Sequence, residues 1–167
     1  ERGAVVIEDA CHGTGGGFEH EGTAYKLGGH PWADMTTFSF HPVKTMTSGE
    51  GGMIVTDNAD FVAHARQLRM HGMERDASKF KGFGSSSGYL SEQGPWTYEM
   101  QDLGYNFRIT DFQCALGRSQ LKKLPGFVQR RLEIVARYNE AFKDLSWLQT
   151  PQIRSEASRE LISWHLY

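Results

Sequence analysis

The chain has 167 residues, room for one ordinary domain with a sizeable core, and a formal charge of −2 with a pI near 6.4. That balance leaves no electrostatic footprint for nucleic acid or an anionic membrane surface. No apolar run approaches the length needed to span a bilayer, and no signal-peptide pattern opens the sequence. Cys11 and Cys114 lie far apart and match no metal or redox spacing, which fits a reducing cytosol and leaves a single structural disulfide open.

In chain order, "AVVIEDACH" predicts a buried central strand with polar residues at its carboxyl end, the end at which open α/β sheets bind ligands. The glycine-rich "GTGGGFEHEGTAYKLGG" predicts loop and turn. "MTTFSF" and "GMIVT" predict two further strands on either side of a loop that contains Lys44. A helix is expected from Asp57 or Asn58, with Phe61, Val62, Ala65 and Leu68 on its buried face and Gly72 as terminator. Residues 74–95, centred on "KGFGSSSGYL", lose periodicity and predict a long mobile loop.

Thr110 and Gln113 have the spacing of a capping box, and Phe112, Ala115 and Leu116 open an apolar stripe behind it. After Pro125, Val128, Leu132, Val135, Tyr138, Phe142 and Leu145 recur at helical steps, as in a connector helix. "LISWHLY" closes the sequence as an apolar run that predicts an unfinished strand. Strand-like runs at both ends predict a piece of a longer protein, since domains seldom start and stop inside core elements. Alone, such a piece is expected to be inactive and to aggregate through uncovered apolar faces and strand edges.

Three candidate chemistries compete. "GTGGGF" follows a strand, but its third glycine does not fall where a dinucleotide fingerprint needs one, because Phe18 stands there. His12, His20 and His30, with Glu19 and Asp9 nearby, lack the compact spacing of a zinc site and read as solvated or hydrogen-bonded loop residues. Lys44 is different: Asp9 ends a strand, His12 follows it, and Ser39 precedes Lys44 by five residues. A lysine, an acid and a phosphate donor on strand ends are the protein parts that pyridoxal phosphate chemistry requires. Taken singly, each of these residues reads as an ordinary loop, capping or turn residue.

The blocks "VIEDACHGTGG", "TFSFHPVKTMTSGEGGMIVT", "RMHGMERD" and "LGYNFRITDFQCALGRSQLKKL" occur in the order found in the DegT/DnrJ/EryC/StrS family of pyridoxal-phosphate-dependent sugar aminotransferases, which this sequence resembles over nearly its whole length. The resemblance implies an α/β fragment of an aspartate aminotransferase-like (fold type I) large domain. Residues 1–124 would be the C-terminal half of that domain, 125–149 the connector helix, and 150–167 the start of a small C-terminal domain. It implies that Lys44 is the Schiff-base lysine and moves the proton. Asp9 would pair with the pyridinium nitrogen, His12 with the ring hydroxyl and Ser39 with the phosphate; Asn106 would reach the phosphate in a neighbouring subunit. Glu50 is a possible substrate-side group.

Within the family, the Lys44 and "GYNFR" blocks look most like the aminotransferases of pseudaminic acid synthesis. That implies glutamate as amino donor, a UDP-linked 4-keto-6-deoxy-N-acetylhexosamine as acceptor, a cytoplasmic homodimer with shared sites, and no nucleic-acid or membrane partner. Another sugar of the same family, or a non-catalytic regulatory homologue, stays open. A dehydratase on this scaffold is excluded, because those enzymes replace the lysine by histidine.

Overall fold

The computed structural model describes residues 3–82 and 96–167. They form two compact bodies, one of Glu1–Asp57 with Ile109–Tyr167 and one of Asn58–Arg108. The first carries β1 (Ile7–Asp9), β2 (Gly17–His20), β3 (Thr23–Lys26), β4 (Met35–Ser39) and β5 (Gly52–Val55). β4 lies at the centre of a mixed sheet. It pairs in parallel with β1, Ile7 opposite Met35 and Asp9 opposite Thr37, and antiparallel with β5, Thr36 opposite Val55 and Ser39 opposite Gly52.

β1 is therefore an edge strand among the described residues, and it begins at Ile7 instead of covering all of "AVVI". Val5, Val6 and Ile7 are 51%, 49% and 60% exposed. The run has the composition for burial on both faces, but this chain supplies a strand neighbour on one side only. The crossover from β1 to β4 contains the β2–β3 hairpin, turned through Glu21 and Gly22, both at positive φ as a tight hairpin turn requires.

Two helices complete this body. α2 (Asp111–Leu121) starts at Thr110 with both halves of the expected capping box: Thr110 Oγ1 accepts from the Gln113 amide, and the Gln113 side chain accepts from the Thr110 amide. Its apolar stripe differs from expectation. Phe112 is 91% exposed and Leu116 42%, because no described element packs over that face. α3 (Leu124–Phe142) takes Pro125 in its first turn and buries Leu124 and Val135. Tyr138 is exposed yet stacks on Phe142 and meets Tyr167 edge-on.

The final run is not a strand. A 3₁₀ helix covers Glu156–Leu161, and residues 162–167, extended at Ile162, belong to no helix or strand among the described residues. They are held instead by side chains, since Arg131 Nη1 donates to the carbonyls of Trp164 and His165 at 3.1 and 2.9 Å. Both cysteines are free thiols. No helix among the described residues is long and apolar enough to cross a membrane.

The second body begins with α1 (Ala59–Arg69). Asn58 caps it, accepting from the amides of Asp60 and Phe61. Phe61, Val62, Ala65 and Leu68 are half-buried. Termination uses two left-handed residues, His71 and Gly72, and the Gly72 amide returns to the Gln67 carbonyl at 2.9 Å. β6 (Met73–Glu74) pairs with β7 (Glu99–Met100), so the expected loop is ordered at its start and carries a 3₁₀ turn at Ala77–Lys79. The rest of that expectation, 83–95, lies outside the described residues.

Thr110→Ala removes the accepting hydroxyl of the capping box. It is expected to destabilise the full-length protein by about 1 kcal/mol, with Thr110→Ser near neutral, as read by the midpoint of a denaturant titration.

Candidate functional site

Parallel pairing of β1 and β4 sets two carboxyl ends side by side, and the polar residues of the site hang from them. Asp9 ends β1 and is exposed; its Oδ1 accepts from the Cys11 amide at 3.0 Å. The Cys11 thiol and then the Cys11 amide hold the Asp9 carboxyl below its usual range. The converse holds for the thiol, which the neighbouring carboxylate and then burial push up. Cys11 Sγ also lies 3.8 Å from Thr37 Oγ1 on the adjacent strand.

Ser39 ends β4, and its hydroxyl accepts from the His41 amide at 3.4 Å. The chain then enters the Lys44 turn, which is closed on itself. The Phe40 amide donates to the Gly51 carbonyl at 2.8 Å, and the Phe40 carbonyl accepts from the Ser48 amide and from Thr47 Oγ1 at 3.0 and 2.9 Å. Ser48 Oγ donates to the Glu50 carbonyl at 2.6 Å, and the Lys44 amide to the His41 carbonyl at 3.0 Å. Thr45, Met46 and Ser48 are buried, so the turn is anchored from beneath. Gly51 closes it at φ 139°, where an added Cβ would meet Ile109 Cδ1 and Ser48 Oγ at 2.9 Å.

Lys44 is half-buried and forms no ion pair with any described carboxylate. The nearest acidic residue in sequence, Glu50, is exposed and faces His41 across 3.8 Å. Lys44 lines a cleft of about 590 Å³ whose other walls include Phe127, Arg131 and Val135 of α3 and Trp164, His165 and Tyr167.

His12 follows Asp9 by three residues, and its ring centroid lies 4.3 Å from that of His165. The glycines between His12 and β2 make room for this assembly. Gly15, at φ 86°, lies under Leu124, and Gly16 under Ser163, with a Cβ at either position about 3.0 Å from its neighbour. Ser163 Oγ donates to the Thr14 carbonyl at 2.7 Å and lies 3.3 Å from Thr45 Oγ1. The glycine-rich segment is thus a packing surface for α3 and the C-terminal segment, in keeping with the rejected dinucleotide reading.

Asp9, His12, Ser39 and Lys44 therefore belong to one body. Asn106 belongs to the other, where its Oδ1 accepts from the amide and Nε of Arg108 at 3.4 and 3.1 Å, and its backbone bridges to Met70. Of the candidate histidines, His30 pairs with Glu8 at 2.9 Å and His20 meets Trp32 edge-on. Sequence reasoning missed Cys11, Arg131 and His165. The one signal for the last was a histidine inside an apolar, aromatic run, "SWHLY".

Across residues 1–167 the chain matches the family model of the DegT/DnrJ/EryC1/StrS aminotransferase family, and it belongs to that family. It is 41% identical over 97% of its length to an uncharacterized protein of Methanocaldococcus jannaschii, covering 37% of that protein. It is 34% identical over 93% of its length to the UDP-4-amino-4,6-dideoxy-N-acetyl-beta-L-altrosamine transaminase of Campylobacter jejuni, covering 36% of it. Among solved structures it resembles Helicobacter pylori PseC, an aminotransferase involved in the biosynthesis of pseudaminic acid, with a TM-score of 0.66 and 29% identity over 92% of this chain and 36% of that one. It also resembles the PLP-form of the sugar aminotransferase Spr1654 of Streptococcus pneumoniae, with a TM-score of 0.70 and 28% identity over 98% of this chain and 36% of that one. The chain thus spans little more than a third of the length of these relatives. The fold is that of fold type I sugar aminotransferases, in part.

Because the Asp9 carboxylate raises the Cys11 thiol, Asp9→Asn is expected to lower the thiol pKa and speed its alkylation by iodoacetamide near neutral pH. Exposed Cys114 serves as the internal reference in the same peptide map. An unchanged Cys11-to-Cys114 rate ratio would refute the coupling.

Proposed function

We propose that the protein containing this chain is a pyridoxal-phosphate-dependent aminotransferase acting on a nucleotide-linked keto sugar, with Lys44 as the covalent attachment point of the cofactor. The observation that carries this is Lys44 itself: half-buried, without a described carboxylate partner, on a self-closed turn that leaves β4, the strand paired in parallel with the one that Asp9 ends.

The residues present fit the cofactor. When bound, it supplies an electron sink for the substrate carbon from which a proton is removed. Asp9, held in its anionic form by Cys11, is suited to keep a ring nitrogen protonated. Ser39 offers a hydroxyl at the strand end for a phosphate, and His12 a ring nitrogen for the ring hydroxyl. Lys44 has the chemistry to take a proton from the nitrogen-bearing substrate carbon and to return it to the carbon on the other side of that nitrogen. In this reading residues 1–124 are half of the cofactor-binding domain, 125–149 the connector and 150–167 the start of the small domain, and the first half of the large domain is needed for activity.

Support for the acceptor comes from likeness to the altrosamine transaminase and to PseC. We take a UDP-linked 4-keto-6-deoxy-N-acetylhexosamine as acceptor, glutamate as donor, and a cytoplasmic homodimer in which Asn106 serves the partner's phosphate.

Borohydride reduction of the cofactor-loaded full-length protein, followed by peptide mapping, is expected to find the cofactor on Lys44. Lys44→Ala should lower turnover by at least about 10²–10⁴-fold. Label on another lysine would sink the assignment. Asp9→Asn is expected to keep the cofactor but lose most turnover, and near-normal turnover would count against its role. Mixing inactive Lys44→Ala and Asn106→Ala subunits should restore part of the activity, because one of the two sites in a mixed dimer is then intact; no recovery after demonstrated subunit exchange refutes the shared site.

A further inference from the structure

The cleft beside Lys44 has an unusual charge pattern. Its lining includes Lys44, Arg130, Arg131 and His165 and, among the described residues, no aspartate or glutamate. Arg130 is already paired with Glu133 at 2.6 Å, on its outer side. Arg131 spends Nη1 on the carbonyls of Trp164 and His165, which leaves the rest of its guanidinium for the cleft.

His165 is held hard in place. Arg131 fixes its backbone, the His12 ring lies against its own, and Ser163 two residues earlier is buried between Thr14 and Thr45. Its Nδ1 is buried with no hydrogen-bond partner among the described residues, whereas Nε2 is not among the buried, unpartnered atoms. Either neutral tautomer leaves Nδ1 unpaired, as an N–H without an acceptor or a lone pair without a donor, so an acceptor presented at Nε2 draws the proton to that nitrogen. Burial first, then the positive charges of His12, Lys44 and Arg131, push the imidazole below its usual range, and the ring is neutral near pH 7.

We propose that His165, positioned by Arg131, is a further ligand-binding residue of this site: its Nε2–H donates to an anionic oxygen of the substrate, a carboxylate or a phosphate, drawn into the cleft by Lys44 and Arg131. The proposal rests on the reading of Lys44 as the reacting lysine, but the contact itself needs no cofactor. A neutral donor flanked by cations suits this task, because it is directional and needs no counter-charge when the ligand leaves. Phe127, Val135 and Trp164 give the cleft apolar walls, and a charge-assisted hydrogen bond gains strength where a bound ligand displaces water from them.

Calorimetric titration of the full-length protein, freed of cofactor, tests this with two probes. Glutarate reports a carboxylate source and uridine diphosphate a phosphate source, and whichever binds identifies the class. His165→Phe keeps the ring against His12 and removes the donor; it is expected to weaken that probe by about tenfold or more, as for loss of a hydrogen bond to a charged group. His165→Gln restores an N–H and is expected to stay within about threefold of the natural protein. Binding of neither probe, wild-type affinity in His165→Phe, or equal loss in both variants overturns the proposal, the last because it would make His165 a packing element. Failure of the Lys44 reading shows separately, in the borohydride map.

Discussion

Three backbone pairs, Ile7 with Met35, Glu8 with Thr36 and Asp9 with Thr37, bring the carboxyl ends of β1 and β4 together, and the candidate site is built outward from them. Parallel pairing is what matters. Both chains leave the sheet on the same side, so the turn after Asp9 and the turn after Ser39 meet. A one-residue slip would carry Asp9 to the other face of the sheet and part it from Thr37 and the Lys44 turn. Glu8 resists such a slip, since its carboxylate accepts from Thr36 Oγ1 on the paired strand and from His30 and Gly28 in the crossover, all within 2.9 Å.

Around that pairing the polar and apolar contacts divide the work. Leu124 fills the space above Gly15, and burial of such a side chain contributes about 1.5–3 kcal/mol. Ser163 instead satisfies the Thr14 carbonyl and meets the Thr45 hydroxyl, so the C-terminal segment is set by directional bonds. Apolar contact brings α3 close; hydrogen bonds decide the register at which His165 and Arg131 face Lys44. Thr45 and Met46, buried directly after Lys44, transmit this register to the turn.

Apolar surface elsewhere is left open. Val5 and Val6 before β1, Ile7 on it, Met53 and Ile54 on β5 and Phe112 on α2 are all about half exposed or more. Patches of this kind on strands and a helix mark surfaces that meet further protein, and the solved relatives have nearly two-thirds of their length beyond the part matched here.

Much of the architecture was legible in the residues because it depends on local chemistry. The Thr110–Gln113 box, the Asn58 cap, the Gly72 ending and the helical steps from Val128 to Phe142 are each set within a few residues of chain, and the structure repeats them; Leu145, expected on the same helix, lies beyond its end. The glycine-rich segment was readable as a loop, but its purpose was not, because Leu124 and Ser163 approach it from more than 100 residues away. Asp9, His12, Ser39 and Lys44 could be singled out by type and order; their presence in one body is decided by the β1–β4 pairing. Edge or centre for β1, the bare face of α2, and the strand-like tail that is not a strand all depend on which neighbours exist, and burial potential in a sequence does not state what fills it. His165 was invisible as a site residue for the same reason: its unpaired nitrogen and its cationic surroundings exist only once α3, the Lys44 turn and the loop after Asp9 are packed together.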